Sequence, residues 1–174
     1  MFLGYFEIRK LIEKKRLIIE PYTPGILSEC GINLRIGNEY AVASKSYRVN
    51  VCEFDPESIF LIHRNVDKIV IPPRGFVLVT TLEYIKLPND VIGLCNLRST
   101  LARWGLSIPP TVVDAGFEGN LTIEVINNTE NIVEIPVGTK FLHLVLAKIK
   151  GAKPYSGSYK GQKGVKLPKK LKGE

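Results

Sequence analysis

Two carboxylates stand ten positions apart in the segment VVDAGFEGNLTIEV, residues 112–125, which otherwise has the pattern of an apolar, half-buried hairpin. Asp114 and Glu124 fall within its predicted strands, whereas Glu118 falls in the predicted turn, where a charge is ordinary. An ionised carboxylate on a half-buried strand is costly unless a partner satisfies it. The two strand positions are therefore candidates for groups that meet bound substrate, hydroxyls or water. An outward-facing, solvated Glu124 is the alternative, because Thr122 and Glu124 share one face of the strand.

A second candidate site lies at a predicted helix start. The segment LRSTLARWG, residues 97–105, interrupts a series of strand-like segments and predicts one short helix with Ser99 or Thr100 as its N-cap. Free backbone N–H groups and the helix dipole favour an anion at such a start. Arg98 and Arg103 add positive charge on either side. The segment is therefore a candidate anion site, and a solvated connection whose arginines bind nothing is the alternative.

The C-terminal segment, residues 151–174, carries most of the net charge. It contains seven lysines and one acid and so contributes +6 of the total +7. Its stretch PYSGSYKGQKGVKLPKK is too poor in apolar residues to form core, which predicts a basic, flexible tail. One interpretation is a lid over a polyanionic ligand, with tyrosine as a stacking face and Gln162 as a hydrogen-bonding group. The alternative is an ordinary solvated tail.

The elements that must position these groups are mostly strands. Ile8, Leu11 and Ile12 fall at helical spacing, which predicts an amphipathic helix over residues 5–16. After it, about ten short segments rich in β-branched and aromatic residues are separated by turn signals, a pattern typical of a sandwich, jelly roll or barrel. With 174 residues, the chain suits a single domain, 1–174. The predicted strands are LIIEPY, INLRIGNEYAVA, YRVNVCEF, KIVIPP, GFVLVTTLEYIKLP, VIGLCNL, TVVDAG, NLTIEVIN, NIVEIP and KFLHLVLAKI.

Composition places the chain among ordinary globular proteins. Hydrophobic residues make up 45% and charged residues 24%. No apolar run approaches the roughly 18 residues needed to cross a bilayer, and the N-terminus runs straight into charge, unlike a signal peptide. We therefore expect a soluble, cytoplasmic protein with no membrane partner.

Cysteine and histidine usage argues against a metal centre or a disulfide framework. Cys30, Cys52 and Cys95 are odd in number, widely spaced and outside any C-x-x-C pair. Reduced thiols in a reducing compartment are expected, with Cys95 as a small core residue. His63 is expected on a connection, and His143 in the interior or at an interface.

Three segments in register carry a family resemblance: NLRSTLARWG, VVDAGFEGNLTIEV and PYSGSYKGQKG. In this order and at these separations they resemble the dCTP deaminase branch of the dUTPase-like superfamily, especially its archaeal members. The resemblance extends from EIRKLIEKKRLIIEP through GINLRIGNEY and TLEYIKLPNDV to the tail. It implies a mainly β fold, a distorted jelly roll or β-barrel of the dUTPase-like kind. It also implies a homotrimer with active sites between subunits and a deoxynucleoside triphosphate substrate bound with Mg²⁺.

The resemblance also assigns residues. It implies that the segment from Arg98 to Arg103 holds the triphosphate, that Asp114 contacts the 3′-hydroxyl of deoxyribose, and that the tail closes over the nucleotide. The residues implied in catalysis are Glu124, Ser99, Arg103 and Asp114. Those implied in substrate binding are Arg98, Ser99, Thr100, Leu101, Ala102, Arg103, Asp114, Thr122, Ile123, Glu124, Tyr155, Ser158 and Gln162. No protein residue is assigned to a metal, because Mg²⁺ is carried by the triphosphate.

The implied reaction is dCTP + H₂O → dUTP + NH₃, a step toward dUMP and dTTP. Glu124 would take a proton from the water that attacks cytosine C4 and pass protons to ring N3 and the departing ammonia, while Ser99 would help to position that water. Zinc-dependent cytidine deaminases hold their metal with a histidine or cysteine and a P-C-x-x-C pair. Neither pattern is present, so the implied chemistry is zinc-independent.

Two other functions stay open at this stage. A dUTP diphosphatase, or a bifunctional enzyme taking dCTP to dUMP and pyrophosphate, is one, because the dUTPase equivalent of Asp114 helps to activate the hydrolytic water. Glu124 favours deamination, since a plain dUTPase has no need of an acid there. A non-enzymatic nucleic-acid-binding domain is the other, suggested by the basic tail. The nearly neutral body and the absence of finger or RNA-binding motifs make a nucleic-acid partner unexpected.

Overall fold

The protein is mainly β, as predicted. The computed structural model describes residues 1–43 and 48–171, and within these ranges it contains twelve strands, two α-helices and two 3₁₀ turns, at Pro24–Ile26 and Pro56–Ser58. In chain order the helices and strands are α1 (Tyr5–Glu13), β1 (Ile18–Glu20), β2 (Leu27–Ser28), β3 (Gly31–Ala43), β4 (Phe60–Arg64), β5 (Lys68–Ile71), β6 (Phe76–Lys86), β7 (Val91–Leu97), α2 (Ser99–Ala102), β8 (Leu106–Ser107), β9 (Thr111–Val113), β10 (Glu118–Asn127), β11 (Val133–Pro136) and β12 (Lys140–Lys148).

Ten of these strands form one curled antiparallel sheet, a half-barrel, in the order β8-β10-β6-β3-β12-β7-β9. Strands β1, β2 and β4 pair onto β6 and β3, and β5 and β11 form a separate two-stranded sheet. The curl encloses an aliphatic core that includes the buried Phe141. Side chains alternate between the two faces of β10: Leu121, Ile123 and Val125 are buried on one face, and Glu124 is half-buried on the other.

A buried ion pair fixes β3 against β6. The Arg35 side chain and its backbone N–H donate to the two carboxylate oxygens of Glu83, at 2.6 and 2.8 Å. Glu83 has no solvent exposure at all. A buried carboxylate is tolerated only when it is paired and hydrogen-bonded, and Arg35 satisfies both oxygens of Glu83 across the two longest strands.

Helix α1 is shorter than predicted. Ile8 and Leu11 are buried as the spacing predicted, but the helix ends at Glu13 rather than at residue 16. Lys15 adopts a left-handed conformation, with φ of 55°, and so the chain leaves the helix there. In the described part of the chain, no helix has the length and apolar character needed to span a bilayer.

The predicted strand YRVNVCEF is wrong over its described part, residues 48–54. The backbone carbonyl of Asn50 accepts hydrogen bonds from the N–H groups of Glu53 and Phe54, which closes a turn. Tyr47 lies outside the described residues. The strand in this region is instead β4, and it carries His63, which was expected on a connection.

Candidate active site

The carboxylate-bearing hairpin is built from β9 and β10. Asp114 lies one residue beyond β9, because pairing with β7 ends at Val113, so the prediction that Asp114 lies on a strand is wrong. The chain then turns at Gly116, whose φ is +75°, and a Cβ there would lie 2.7 Å from the Asn89 side-chain oxygen. Only glycine fits this turn, and the turn places Asp114 at its exposed side.

Glu118 is the first residue of β10 rather than part of the turn, which corrects its predicted position. Its carboxylate accepts a hydrogen bond from the Tyr84 hydroxyl at 2.9 Å and pairs with the Lys86 ammonium at 3.1 Å. The Tyr84 hydrogen bond, followed by Lys86, lowers the pKa of Glu118 below its ordinary value. Glu118 is therefore an engaged structural carboxylate.

Asp114 and Glu124 face one cavity of about 480 Å³. Thr122 and Ile123 also line it, and much of its wall is apolar, formed by Phe60, Phe76, Leu78, Phe117, Leu121 and Leu167 among others. Within the described ranges, neither the Asp114 nor the Glu124 carboxylate makes a hydrogen bond or ion pair with the protein. The lining position of Glu124 argues against the fully solvated alternative. Two carboxylates that lack partners in the described part of the chain thus line one apolar-walled cavity.

The tail covers one side of this cavity. The Tyr155 N–H donates to the Ala115 carbonyl at 2.8 Å, and its ring packs on Phe117 with 5.6 Å between ring centroids. Further along, the Lys166 N–H donates to the Thr122 hydroxyl at 3.0 Å. Tyr155 and Gln162 both line the cavity, so the described part of the tail lies along the carboxylate hairpin.

Val165 fixes the far end of the tail. It is 6% exposed and packs with Ala41 and Leu78 in a small cluster of its own, and its N–H donates to the Glu39 carboxylate at 3.2 Å. The expectation that the tail contributes nothing to a core is therefore wrong at Val165. Residues 172–174 of the predicted tail lie outside the described range.

Gln162 holds an unsatisfied acceptor at this site. Its side-chain N–H group donates to the Asn120 carbonyl at 2.6 Å, which fixes the orientation of the amide. Its side-chain oxygen is then buried with no hydrogen-bond partner in the described chain. Such an atom costs about 1–3 kcal/mol, so a donor brought by a ligand or water would relieve it.

Cys95 lines the cavity from β7. Burial, followed by the nearby charge of Glu124, raises the pKa of its thiol to about 12. Cys95 is 5% exposed, which confirms the prediction of a small core residue. It stays protonated beside Glu124 at neutral pH.

The helix-start segment does not join this cavity. Arg98 is the N-cap of α2, which corrects the predicted Ser99 or Thr100 cap, because its N–H still pairs with the Phe141 carbonyl at 2.8 Å. Ser99, Thr100, Ala102 and Arg103 are exposed and Leu101 is half-buried, and the described cavity lining includes none of residues 98–103. Trp104, which follows the segment, is 70% exposed.

The predicted site residues therefore fall into two groups within one chain. The cavity group contains Asp114, Thr122, Ile123, Glu124, Tyr155 and Gln162, and the α2 group contains Arg98, Ser99, Thr100, Leu101, Ala102 and Arg103. Ser158 belongs to neither and is exposed, with its carbonyl accepting from Lys169 at 3.3 Å.

Sequence reasoning missed Phe117 and Lys166 in the cavity wall, although an aromatic residue in the GFEGN turn was a usable signal. Across the described ranges, no three His, Cys, Asp or Glu side chains converge as a metal site.

Two solved structures share the architecture of this chain. The 2′-deoxycytidine 5′-triphosphate deaminase from Agrobacterium tumefaciens superposes with a TM-score of 0.66 at 16% identity, over 83% of this chain and 46% of the larger Agrobacterium chain. The Staphylococcus bacteriophage 80alpha dUTPase with dUPNHPP superposes with a TM-score of 0.50 at 15% identity, over 82% and 88% of the two chains. These likenesses define the fold as dUTPase-like, as predicted.

Sequence comparison places the chain more narrowly. The dCTP deaminase-like family profile matches residues 2–149. The dCTP deaminase of Caldivirga maquilingensis is 54% identical over all of this chain and 99% of its own length, that of Pyrobaculum neutrophilum is 53% identical over the same shares, and that of Acidianus ambivalens is 45% identical over 97% and 98%. The chain belongs to the dCTP deaminase-like family, and the predicted resemblance to its archaeal members is confirmed.

Proposed function

We propose that this protein is a dCTP deaminase that converts dCTP and water into dUTP and ammonia. The observation that carries the proposal is a pair of carboxylates, Asp114 and Glu124, that have no partner among residues 1–43 and 48–171 and share a cavity covered by the tail. The chain around them is 53–54% identical over its whole length to dCTP deaminases of several archaea.

Glu124 is the general acid and base in this proposal. Its carboxylate takes a proton from water as the water oxygen bonds to cytosine C4, and protons then pass to ring N3 and to the amino group. The C4–N bond breaks, ammonia leaves, and C4 keeps the oxygen as the uracil carbonyl. The neighbouring Cys95 thiol, with a pKa raised to about 12, adds no negative charge beside Glu124 during these transfers.

The remaining cavity groups orient the nucleoside. Asp114, at the exposed end of the hairpin, accepts a hydrogen bond from the 3′-hydroxyl. The buried Gln162 oxygen, which lacks a partner in the described chain, accepts from a donor on the bound nucleotide. Tyr155, held against Phe117, closes the tail side of the site, and Thr122 and Ile123 form the strand beneath it.

The triphosphate site comes from a neighbouring subunit of a homotrimer. The α2 group has exposed hydroxyls and Arg103 but lies outside its own cavity. Trp104 and Val112 are 70% and 54% exposed in the single chain, and in this proposal both are buried between subunits. In this arrangement Arg98 and Arg103 bind phosphates, and Ser99 positions the attacking water.

Mg²⁺ enters with the triphosphate, and no zinc takes part. The cavity offers Glu124 itself as the base, so the proposed chemistry needs no metal-activated water. The exposed, unpaired thiols of Cys30 and Cys52 suit the reducing cytoplasm, where we place the protein.

A matched pair of variants tests the catalytic assignment. Glu124→Gln should lower the rate of ammonia release from dCTP by about 10²–10⁴-fold, the usual contribution of a general acid–base group, while calorimetry still detects dCTP binding. Glu118→Gln, on the same strand but engaged by Tyr84 and Lys86, should retain deamination. A Glu124→Gln protein with near wild-type turnover would overturn the assignment.

A second activity, cleavage of dUTP to dUMP and pyrophosphate, is favoured by one observation. Asp114 is exposed and unpartnered in the described chain, so its carboxylate is free to activate a second water. Asp114→Asn would then abolish pyrophosphate release from dUTP, while residual deamination of dCTP by the same variant remains measurable.

A further inference from the structure

His143 lies in a polar row on the face of the sheet opposite the core. It sits on β12 directly between Asn33 on β3 and Asn96 on β7, and cross-strand partners share one face. Its Nδ1 is 3.1 Å from the Asn33 side-chain oxygen. Because that oxygen only accepts, Nδ1 carries the proton of the neutral ring, and Nε2 holds the free lone pair.

The Nε2 edge of the ring is open. A Cβ at Gly31 would lie 2.7 Å from both Cε1 and Nε2 of His143, so this edge is free only because residue 31 is glycine. Nε2 has no hydrogen-bond partner in the described chain, yet it is absent from the buried unpartnered atoms there. Solvent, or a ligand, therefore reaches Nε2.

Arg98 supplies the largest charge effect on the His143 ring. Its backbone N–H bonds to the Phe141 carbonyl, two residues before His143, and no carboxylate within the described ranges pairs with its guanidinium. Burial and then Arg98 lower the pKa of His143 below its ordinary value of 6.5, against a smaller opposing effect of Glu29. The ring is therefore neutral at neutral pH in the free protein.

The other cations beside this row are already engaged. Arg35 on β3 is bound by Glu83, and the Lys140 ammonium on β12 donates to the Gly25 carbonyl. Asn33 and Asn96 are neutral. The charges that act on His143 from the elements around it are thus those of Arg98 and Glu29.

We propose that His143 is a phosphate contact that takes up a proton when the substrate polyphosphate binds beside Arg98. The neutral ring turns its Nε2 lone pair outward, and the protonated ring presents Nε2–H as a charge-assisted donor to a phosphate oxygen. The inference rests on the proposed function, which places the phosphates at Arg98.

The sign of the pH effect follows from linkage. Phosphate charge favours the protonated ring, so it raises the pKa of His143 in the complex above that of the free protein. Affinity for the polyphosphate is then highest below the free-protein pKa, and it weakens as the pH rises through the pKa of the complex. A rise of one unit in the pKa of His143 between the free protein and the complex corresponds to a roughly tenfold change in affinity.

Imidazole NMR tests this directly because the chain contains only two histidines. In the His63→Gln variant the single remaining resonance belongs to His143, and its titration is recorded with and without saturating inorganic tripolyphosphate and Mg²⁺. His63 stacks on Tyr40 and lies outside the cavity lining, so its replacement should leave deamination intact. The proposal expects the titration midpoint of His143 to rise by about one pH unit or more.

An unchanged midpoint would overturn the proposal. Deamination of dCTP, measured on the same preparation, distinguishes failure of the His143 proposal from failure of the proposed function. An unchanged midpoint with normal turnover removes only the role of His143, whereas a wild-type protein that does not deaminate dCTP removes the proposed function. As a second readout, KM for dCTP should lose its dependence on pH in His143→Gln and keep it in His63→Gln.

Discussion

Mixed trimers provide a quantitative test of a site shared between subunits. Arg98→Ala removes a phosphate-binding group from the α2 group, and Glu124→Gln removes the acid–base group from the cavity. Each variant alone should be nearly inactive. If every site combines Arg98 of one subunit with Glu124 of its neighbour, a mixed trimer contains sites in which both groups are intact.

The expected recovery follows from random assembly. A site is intact when the subunit supplying Arg98 carries the Glu124→Gln change and the subunit supplying Glu124 carries the Arg98→Ala change. At equal expression each condition holds half the time, so about one quarter of the sites are active. The two chains are co-expressed with different tags, trimers carrying both tags are isolated, and ammonia release is measured. Isolating these trimers removes only the all-one-type assemblies, which contain no intact site, so about one third of the sites in the isolated fraction should be active.

The control pairs two changes from the same cavity group. Glu124→Gln mixed with Asp114→Asn should give no ammonia release beyond the residual activity of the Asp114→Asn chain, because both residues line one cavity of one chain. Recovery in this control, or none in the Arg98 mixture, would refute the shared site. The second result would mean that α2 and the cavity of a single chain serve the same nucleotide, in contradiction to their separation here.

Three further predictions concern the framework. Val165→Ala removes two methyl groups from the tail anchor, worth about 1.5 kcal/mol, and should raise KM for dCTP while increasing amide exchange in the tail. Arg35→Met leaves the buried Glu83 carboxylate unpaired and should lower the free energy of unfolding in urea by about 3–5 kcal/mol, with Glu83→Leu in the same chain restoring part of it. The pKa of Glu118 is lowered in the folded protein. The carboxylate therefore stabilises the fold fully above its pKa in the unfolded chain, and this stabilisation is lost as the pH falls through its lower pKa in the folded protein. Thermal unfolding of Glu118→Gln should accordingly depend less on pH in the acid range than unfolding of the wild type.

Local pattern predicted most of the sheet. The alternation in LTIEV set the faces of β10 correctly, because the side-chain period of a strand is fixed by its pleat. The residues at which strands and helices begin and end were predicted less well. Asp114 lies beyond β9 because pairing with β7 stops at Val113, and α2 is capped by Arg98 because that residue is still hydrogen-bonded to Phe141. Both limits depend on partners distant in sequence.

The division of the site was also beyond local pattern. The helix-start and hairpin segments are close in sequence, but in the folded chain residues 98–103 do not line the cavity that contains Asp114 and Glu124. The contribution of Val165 to a core was hidden for a similar reason: its partners, Ala41 and Leu78, come from strands far earlier in the chain. By contrast, the engagement of Glu118 could have been suspected from the alternation of charges on neighbouring strands.

Analysis of the reaction products is the decisive test of dCTP deamination by this protein. The wild-type protein is incubated with Mg²⁺ and either dCTP or dUTP, and the nucleotides are separated by ion-exchange chromatography while ammonia is measured. We expect dCTP to be converted to dUTP, with one ammonia released for each nucleotide consumed. Further conversion to dUMP and pyrophosphate would add the second activity at Asp114. Unchanged dCTP, with only dUTP consumed, would contradict the assignment of Glu124 and with it the proposed function.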